Sequence, residues 1–210
     1  MVDANSTRIV VPGEVLFEAP RNISYAYVQN GKTYSSVVGL FNEREGRLIP
    51  LQGAYTPLAE DVIIGVVKEV KFSGYVVEIK SPYLGFLSGK ETRDEFQMGD
   101  ILIARVKGAD EVRNVDLTEA KRLRGGEIIE VASVKVPRVI GKKNSMLNML
   151  RDATRSEILV GNNGRIWIKG GNSSLAARAI LKIENEAHTA GLTDAIHDFL
   201  ENELRNQNNR

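Results

Sequence analysis

The stretch Val139-Ile140-Gly141-Lys142-Lys143-Asn144-Ser145-Met146-Leu147 places a glycine, two lysines and a turn-forming asparagine just ahead of an apolar helical run. A helix starting at Ser145 would leave its first N–H groups unpaired and its positive dipole end open, which favours a phosphate. Lys142 and Lys143 would add attraction there, although a turn between two helices with solvated lysines has the same spacing. A second set comes earlier in the chain: Phe72, Tyr75, Tyr83 and Phe86, with Lys71, Lys80, Lys90 and Arg93 close in sequence. Aromatic faces stack bases while basic side chains hold the backbone, each stacked base contributing about 1–3 kcal/mol. The alternative is that these rings fill a core. Catalytic sets are missing from the pattern. His188 and His197 stand nine apart on two predicted helices without metal-ligand spacing, and His188 reads as a capping or packing residue near Gly191. Asp94, Glu95 and Asp100 read as solvated loop acids, and Trp167 reads as core. Gly161-Asn162-Asn163-Gly164 has the composition of a phosphate cradle, but a tight hairpin turn accounts for it better. No Walker loop, nucleophile elbow or zinc-protease motif occurs. The residues therefore predict no catalytic group, no metal and no cofactor.

Composition narrows the class further. The 210 residues contain no cysteine, which excludes disulfides, thiolate zinc sites and cysteine nucleophiles and fits a reducing interior. With 26% charged and 42% hydrophobic residues, wholesale disorder is excluded. The longest apolar stretch, Val62 to Val67, falls well short of the ~20 residues a membrane-spanning helix needs. The first residues show no basic cluster followed by an apolar core, so no secretory leader is expected and a cytoplasmic protein is. The net charge of +1 hides a strong division along the chain. Residues 1–59 sum to zero and residues 60–124 to −1, whereas 125–183 carry +6 and 184–210 carry −4. Basic charge thus collects in the segment that contains Lys142 and Lys143.

The elements that must position these residues fall into three units, an α+β, multidomain arrangement. Residues 1–59 read as β-rich, with Ser24 to Gln29 and Lys32 to Leu40 alternating around Asn30-Gly31, a strong hairpin signal. So small a unit is expected to pack on a neighbour or another protein. Residues 60–124 offer five short strands at Val62–Val70, Tyr75–Ile79, Leu84–Leu87, Ile101–Val106 and Val112–Leu117. Strands this short would expose edges in an open sheet, which predicts a closed barrel of the oligonucleotide/oligosaccharide-binding (OB) type, with Gly65 and Gly74 as bends. In residues 125–210 the order is strand (Glu127–Ala132), short helix (Pro137–Ile140), break, helix (Ser145–Arg155) and hairpin (Glu157–Val160 with Arg165–Lys169). Two helices close the chain, marked by Leu175, Ala179, Ile183 and Ala187 and then by Ile196, Phe199, Leu200 and Leu204 after a cap at Thr193.

These residues resemble known families. Gly65-x-Val67-x-x-Val70-x-Phe72-Ser73-Gly74-Tyr75-Val76, with the later Met98-Gly99-Asp100-Ile101, resembles the ribosomal S-one-type RNA-binding barrel. Val139-Ile140-Gly141-Lys142-Lys143 resembles the KH-domain signature, with Asn144 where that pattern has glycine; asparagine tolerates positive φ well. Combined with Val11-Pro12-Gly13-Glu14, Ile49-Pro50-Leu51, Ser81-Pro82-Tyr83 and Ala187-His188-Thr189-x-Gly191-Leu192-Thr193-Asp194, the chain is similar to the RNA-binding cap subunits of the archaeal exosome from about Val10 to Leu204. The resemblance implies a β-rich docking domain (1–59), an OB-fold barrel (60–124) and a KH domain (125–210) of order βααββα plus an extra helix. It also implies a non-catalytic subunit, in three copies, alone or mixed with another cap protein, above a ring of phosphorolytic RNase PH-like subunits. Single-stranded RNA would then be held by Lys71, Phe72, Tyr75, Tyr83, Phe86 and Arg93 of the barrel and by Gly141, Lys142, Lys143, Asn144 and Ser145 of the KH loop. A free-standing RNA-binding regulator is the alternative, which leaves the β-rich first unit without a purpose.

Overall fold

The structure is a computed structural model that describes residues 7–23, 25–51, 53–109, 114–187, 189 and 191–208. The expectations for Ser24, Val112 and His188 lie outside the described residues. The chain divides into two compact units between Gly53 and Ala54.

In the first unit, β1 (Thr7–Val10), β2 (Val15–Phe17), β3 (Ala26–Gln29), β4 (Lys32–Ser35), β5 (Gly39–Asn42) and β6 (Arg47–Pro50) form two antiparallel sheets, β1-β5-β6 and β2-β4-β3. Asn30 (φ 50°) and Gly31 (φ 75°) make the expected turn between β3 and β4, both central residues left-handed as a tight hairpin requires. The run Lys32 to Leu40 is not one strand. Buried Ser35 accepts from Val37 N–H through Oγ and donates to the Val37 carbonyl, a local turn that competes with the ladder and sends β5 into the other sheet. Val10, Leu16, Phe41 and Leu48 form this unit's core.

The second unit opens with a barrel of β7 (Val62–Lys71), β8 (Gly74–Glu78), β9 (Leu84–Ser88), β10 (Ile101–Ala109) and β11 (Asn114–Leu123). It closes in the order β10-β11-β9-β8-β7, with β10 returning to β7 and a parallel pairing only between β11 and β9. Closure leaves no free edge, so each of the five strands pairs on both sides. Ile63, Val67, Val77, Leu87, Leu102 and Leu117 fill the interior. Gly74, with φ 153°, turns the β7–β8 hairpin where a Cβ would lie 2.1 Å from the Leu87 carbonyl oxygen, so no side chain fits. The last strand runs to Leu123 rather than stopping at Leu117; a shift of register and a left-handed Glu119 (φ 51°) break the alternation that marks it in sequence. Tyr55 belongs to this core, buried to 7% exposure, so residues 54–59 pack with the barrel.

The same unit continues with β12 (Glu127–Glu130), a 3₁₀ turn (Ser133–Lys135), α1 (Val136–Ile140), a second 3₁₀ turn (Lys142–Asn144) and α2 (Ser145–Thr154). Then come β13 (Glu157–Val160), β14 (Arg165–Lys169), α3 (Ser173–Asn185) and α4 (Leu192–Asn208). The sheet order is β12-β14-β13, all antiparallel. One core joins the layers: Val139, Leu150, Ile158, Ile166, Ile168, Leu175, Ala179, Ile183 and Ile196 are fully buried. Asn172 caps α3 by accepting from Leu175 N–H at 3.1 Å. Thr193 is not the cap of the last helix; α4 starts one residue earlier, at Leu192, and Thr193 sits exposed in its first turn. Trp167 is buried at 2% exposure and its indole N–H donates to the Gly125 carbonyl. Among the described residues no helix is long and apolar enough to cross a membrane.

Candidate nucleic-acid interface

The turn between α1 and α2 is built by backbone geometry. Gly141 holds φ 73°, ψ 171°, and a Cβ there would lie 2.7 Å from the Met146 nitrogen, so glycine lets the chain fold back tightly onto α2. Lys143 (φ 53°) and Asn144 (φ 64°) follow in left-handed conformation, and Asn144 receives α2 without capping it through its side chain. Lys142, Lys143, Asn144 and Ser145 are all exposed. The first turn of α2 therefore presents N–H groups with no side-chain acceptor, beside two solvent-facing ammonium groups. That arrangement suits an anion approaching along the axis of α2.

The barrel residues divide by position. Lys71 and fully exposed Phe72 form the tip of the β7–β8 hairpin, Lys71 lying 3.6 Å from Glu69. Tyr75, one pair further in, is half-buried with its ring edge-on to Phe96 at 5.2 Å. Phe96 in turn lies under the Arg122 guanidinium, 5.5 Å from the ring centroid. Arg93, Arg122 and Arg124 line a cleft of about 380 Å³ with Asp94, Glu95, Phe96 and Gln97. Lys71, Phe72, Tyr75 and Arg93 thus gather at one end of the barrel, since Gly89 at the head of the Arg93 loop donates to the Ser73 carbonyl. Tyr83 precedes β9 at the other end of the β8–β9 ladder, four residues or ~13 Å along the strand from Tyr75. Phe86 stands half-buried on the outside of β9, across from Val76 and Asp116. Lys80 points elsewhere, donating to the Val131 carbonyl at 3.0 Å.

Arg122 and Arg124 carry no signal in the strand pattern, because the last strand reads as ending at Leu117, and Phe96 falls in the loop between the third and fourth strands. The pair Arg122-x-Arg124 at a strand end is the one clue. The loop acids are also more than solvated. Asp94 accepts from Arg122 N–H, and Asp100 accepts from Gln97 N–H and pairs with Arg122 at 2.7 Å, so these carboxylates shape the loop.

The Gly161–Gly164 turn has a second role besides closing the β13–β14 hairpin. Asn163 is fully buried against the barrel, where its amide accepts from Ile64 N–H and donates to the Ile64 and Ile79 carbonyls at 2.8 and 2.9 Å. Asn162 donates from its backbone to the Val62 carbonyl and from its side chain to Asp61. Asp61 also accepts from the Tyr55 hydroxyl at 2.6 Å; burial first, then this carboxylate, pushes the Tyr55 hydroxyl well above its ordinary range and keeps it protonated. Arg165 bridges Glu78 of the barrel and Glu130 of β12. Partial burial raises the Glu130 carboxyl, but the Arg165 hydrogen bond and the Lys80 charge outweigh it and hold the group below its usual value. The Asn162 backbone N–H and both asparagine side-chain amides are spent on the barrel side, and the Gly161 and Gly164 N–H groups on the hairpin itself, so the turn works as a joint and not as a phosphate cradle.

A closed five-stranded barrel clasped to a βααββα domain, with a basic glycine-led turn before its second helix, defines the barrel-plus-KH class of nucleic-acid-binding proteins. Family models match the chain on either side of the barrel. Residues 126–174 match the model of the KH domain, and residues 7–52 match that of the exosome RNA binding protein RRP4 N-terminal domain. The exosome complex component Rrp4 of Pyrococcus furiosus is 42% identical over 94% of this chain and 84% of its own. That of Methanosarcina acetivorans is 43% identical over 93% and 82%. A crystal structure assigned as an exosome complex RNA-binding protein superposes with a TM-score of 0.67 at 36% identity, over 74% of this chain and 99% of that one. The chain belongs to the Rrp4 family of exosome components.

Proposed function

We propose that this chain is a non-catalytic, cytoplasmic RNA-binding cap subunit of an archaeal exosome. It captures single-stranded RNA and feeds 3′ ends into a ring of phosphorolytic 3′–5′ exoribonuclease subunits, three copies standing above the pore. The observation that carries this reading is the Lys142–Lys143 turn, two exposed lysines at the uncapped start of α2, in a chain of the Rrp4 family. Phosphate contacts of that kind hold RNA without reading its sequence, as a general degradation machine requires. Lys71, Phe72, Tyr75 and Arg93 at one end of the barrel would supply a second contact on the same strand. Two weak sites on one body raise the local RNA concentration at the pore, so the ring's active sites need not hold substrate unaided.

The test is reconstitution with purified ring subunits and labelled RNA in phosphate buffer. The ring should degrade RNA faster at limiting concentration when this chain is present, and the chain alone should degrade nothing. Equal rates with and without it, or degradation by the isolated chain that a point change in it abolishes, would sink the proposal.

A further inference from the structure

Three side chains form a chain of contacts at the barrel end where Lys71, Phe72 and Arg93 gather. Tyr75 lies between Val70 of β7 and Leu87 of β9, and its half-buried ring meets that of Phe96 edge-on at 5.2 Å. Phe96 comes from the loop between β9 and β10 and is only 4% exposed, as part of the barrel core. Arg122, near the end of β11, places its guanidinium 5.5 Å from the centroid of the same ring. Its other contacts go to the loop that carries Phe96. Nη2 donates to the Glu95 carbonyl and pairs with Asp100 at 2.7 Å, and the backbone N–H donates to the Asp94 carboxylate at 3.2 Å. On its far flank the loop is tied to β7, where Gly99 N–H donates to the Val67 carbonyl at 2.8 Å. Arg122 Nε is buried with no acceptor, the only side-chain polar atom so left among the described residues. A buried donor left unmade costs stability, so holding the fold is not a sufficient account of this guanidinium.

We propose that Arg122 and Phe96 are positioning residues for RNA: they hold the Tyr75 ring at the end of the barrel, where its exposed side meets a base, and touch no RNA themselves. The inference rests on Tyr75 being an RNA contact. Two features favour positioning over contact. Phe96 is covered, and it occupies the space into which the Tyr75 ring would otherwise lean. The Arg122 charge is already spent on Asp100, with Asp94 on its backbone, so a phosphate would have to displace one carboxylate in the presence of another. A ring held in place before RNA arrives loses less freedom on binding, and that is the gain in affinity the two residues supply.

The test is a double-mutant cycle on the full chain, with labelled oligo(A) as the probe and affinity measured across a salt series. Tyr75→Leu should lower affinity about tenfold, the worth of one stacked base. Phe96→Leu and Arg122→Met should each lose about three- to tenfold, with the parent's salt slope. Neither should lower affinity further when Tyr75→Leu is already present, because each acts through that ring. Losses that add in full to that of Tyr75→Leu overturn the proposal. So does a slope flattened by ~0.7 in Arg122→Met and restored in Arg122→Lys, which makes Arg122 a phosphate contact. Urea midpoints are read alongside: a lowered midpoint with parental affinity in both variants assigns the two residues to the fold alone and also overturns it. In each of these cases Tyr75→Leu still weakens binding, and the RNA contact itself stands. If Tyr75→Leu binds as the parent does, that contact is what fails, and the positioning role fails with it. Should Arg122→Met not fold, Phe96→Leu, which keeps an apolar side chain at the barrel end, carries the test.

Discussion

Lys143 and Asn144 occupy the left-handed region in succession, a conformation that costs ordinary residues roughly 1 kcal/mol or more and that asparagine bears best. The turn keeps this shape because Gly141 folds back against Met146 and Val139 and Leu150 anchor the helices on either side. Lys142 and Lys143 contribute nothing to that packing, being exposed, so their charge can be removed without removing the turn. Changing both to alanine should weaken RNA binding evenly across sequences. It should also reduce the slope of log affinity against log salt by about 1.4, at ~0.7 per phosphate on a single strand. Asn144→Gly should act in the other direction, since a bare backbone relieves the strained φ and lets phosphate approach the first N–H groups of α2. Affinity measured against salt for the parent and both variants checks this. A double variant with the parent's slope would reduce the turn to a solvated connection.

At the scale of elements, the Gly161–Gly164 hairpin is the joint between barrel and KH sheet, and Asn163 is its centre. Truncating Asn163 to alanine leaves the Ile64 and Ile79 carbonyls and the Ile64 N–H without their partner in a site closed to water. The expected loss is about 2–4 kcal/mol, read as a lower urea midpoint. A midpoint within experimental error of the parent would mean that solvent reaches the joint. Asn163 was not legible in sequence, because a turn's local chemistry shows its own hairpin and not a barrel wall 84 to 99 residues away. The KH order itself was legible, since apolar spacing switches plainly between periods of 2 and 3.6 from Glu127 to Leu204. The barrel's last strand was legible only in its first half, because Glu119 interrupts the alternation that identifies a strand. For the same reason Arg122, which covers the Phe96 ring, went unseen, whereas the Lys142–Lys143 turn stood out because its glycine, charges and helix start are contiguous.

For the molecule as a whole, the division at Gly53/Ala54 decides how the docking role of the first unit can be tested. Removing residues 1–59, the β-rich segment as the sequence delimits it, would also remove Tyr55. That side chain is buried in the barrel core, and its hydroxyl donates to Asp61, which holds Asn162 of the joint. Loss of function in that deletion would report a damaged barrel as readily as a lost docking surface. A chain starting at Ala54 keeps both cores of the second unit intact, the barrel interior and the KH layers, together with the Asn163 and Arg165 bonds between them. It should unfold in one cooperative transition and retain most of the parent's RNA affinity, because the Lys142–Lys143 turn and the Lys71–Tyr75 hairpin are both in it. It should fail to co-elute with the purified ring subunits on gel filtration, where the full chain should travel with them. The transition and the RNA affinity are measured first, so that a negative result on the column is attributable to the missing sheets and not to misfolding. If the shortened chain folds, binds RNA and still assembles on the ring, the second unit carries the docking surface, and the two small sheets of the first need another partner to explain them.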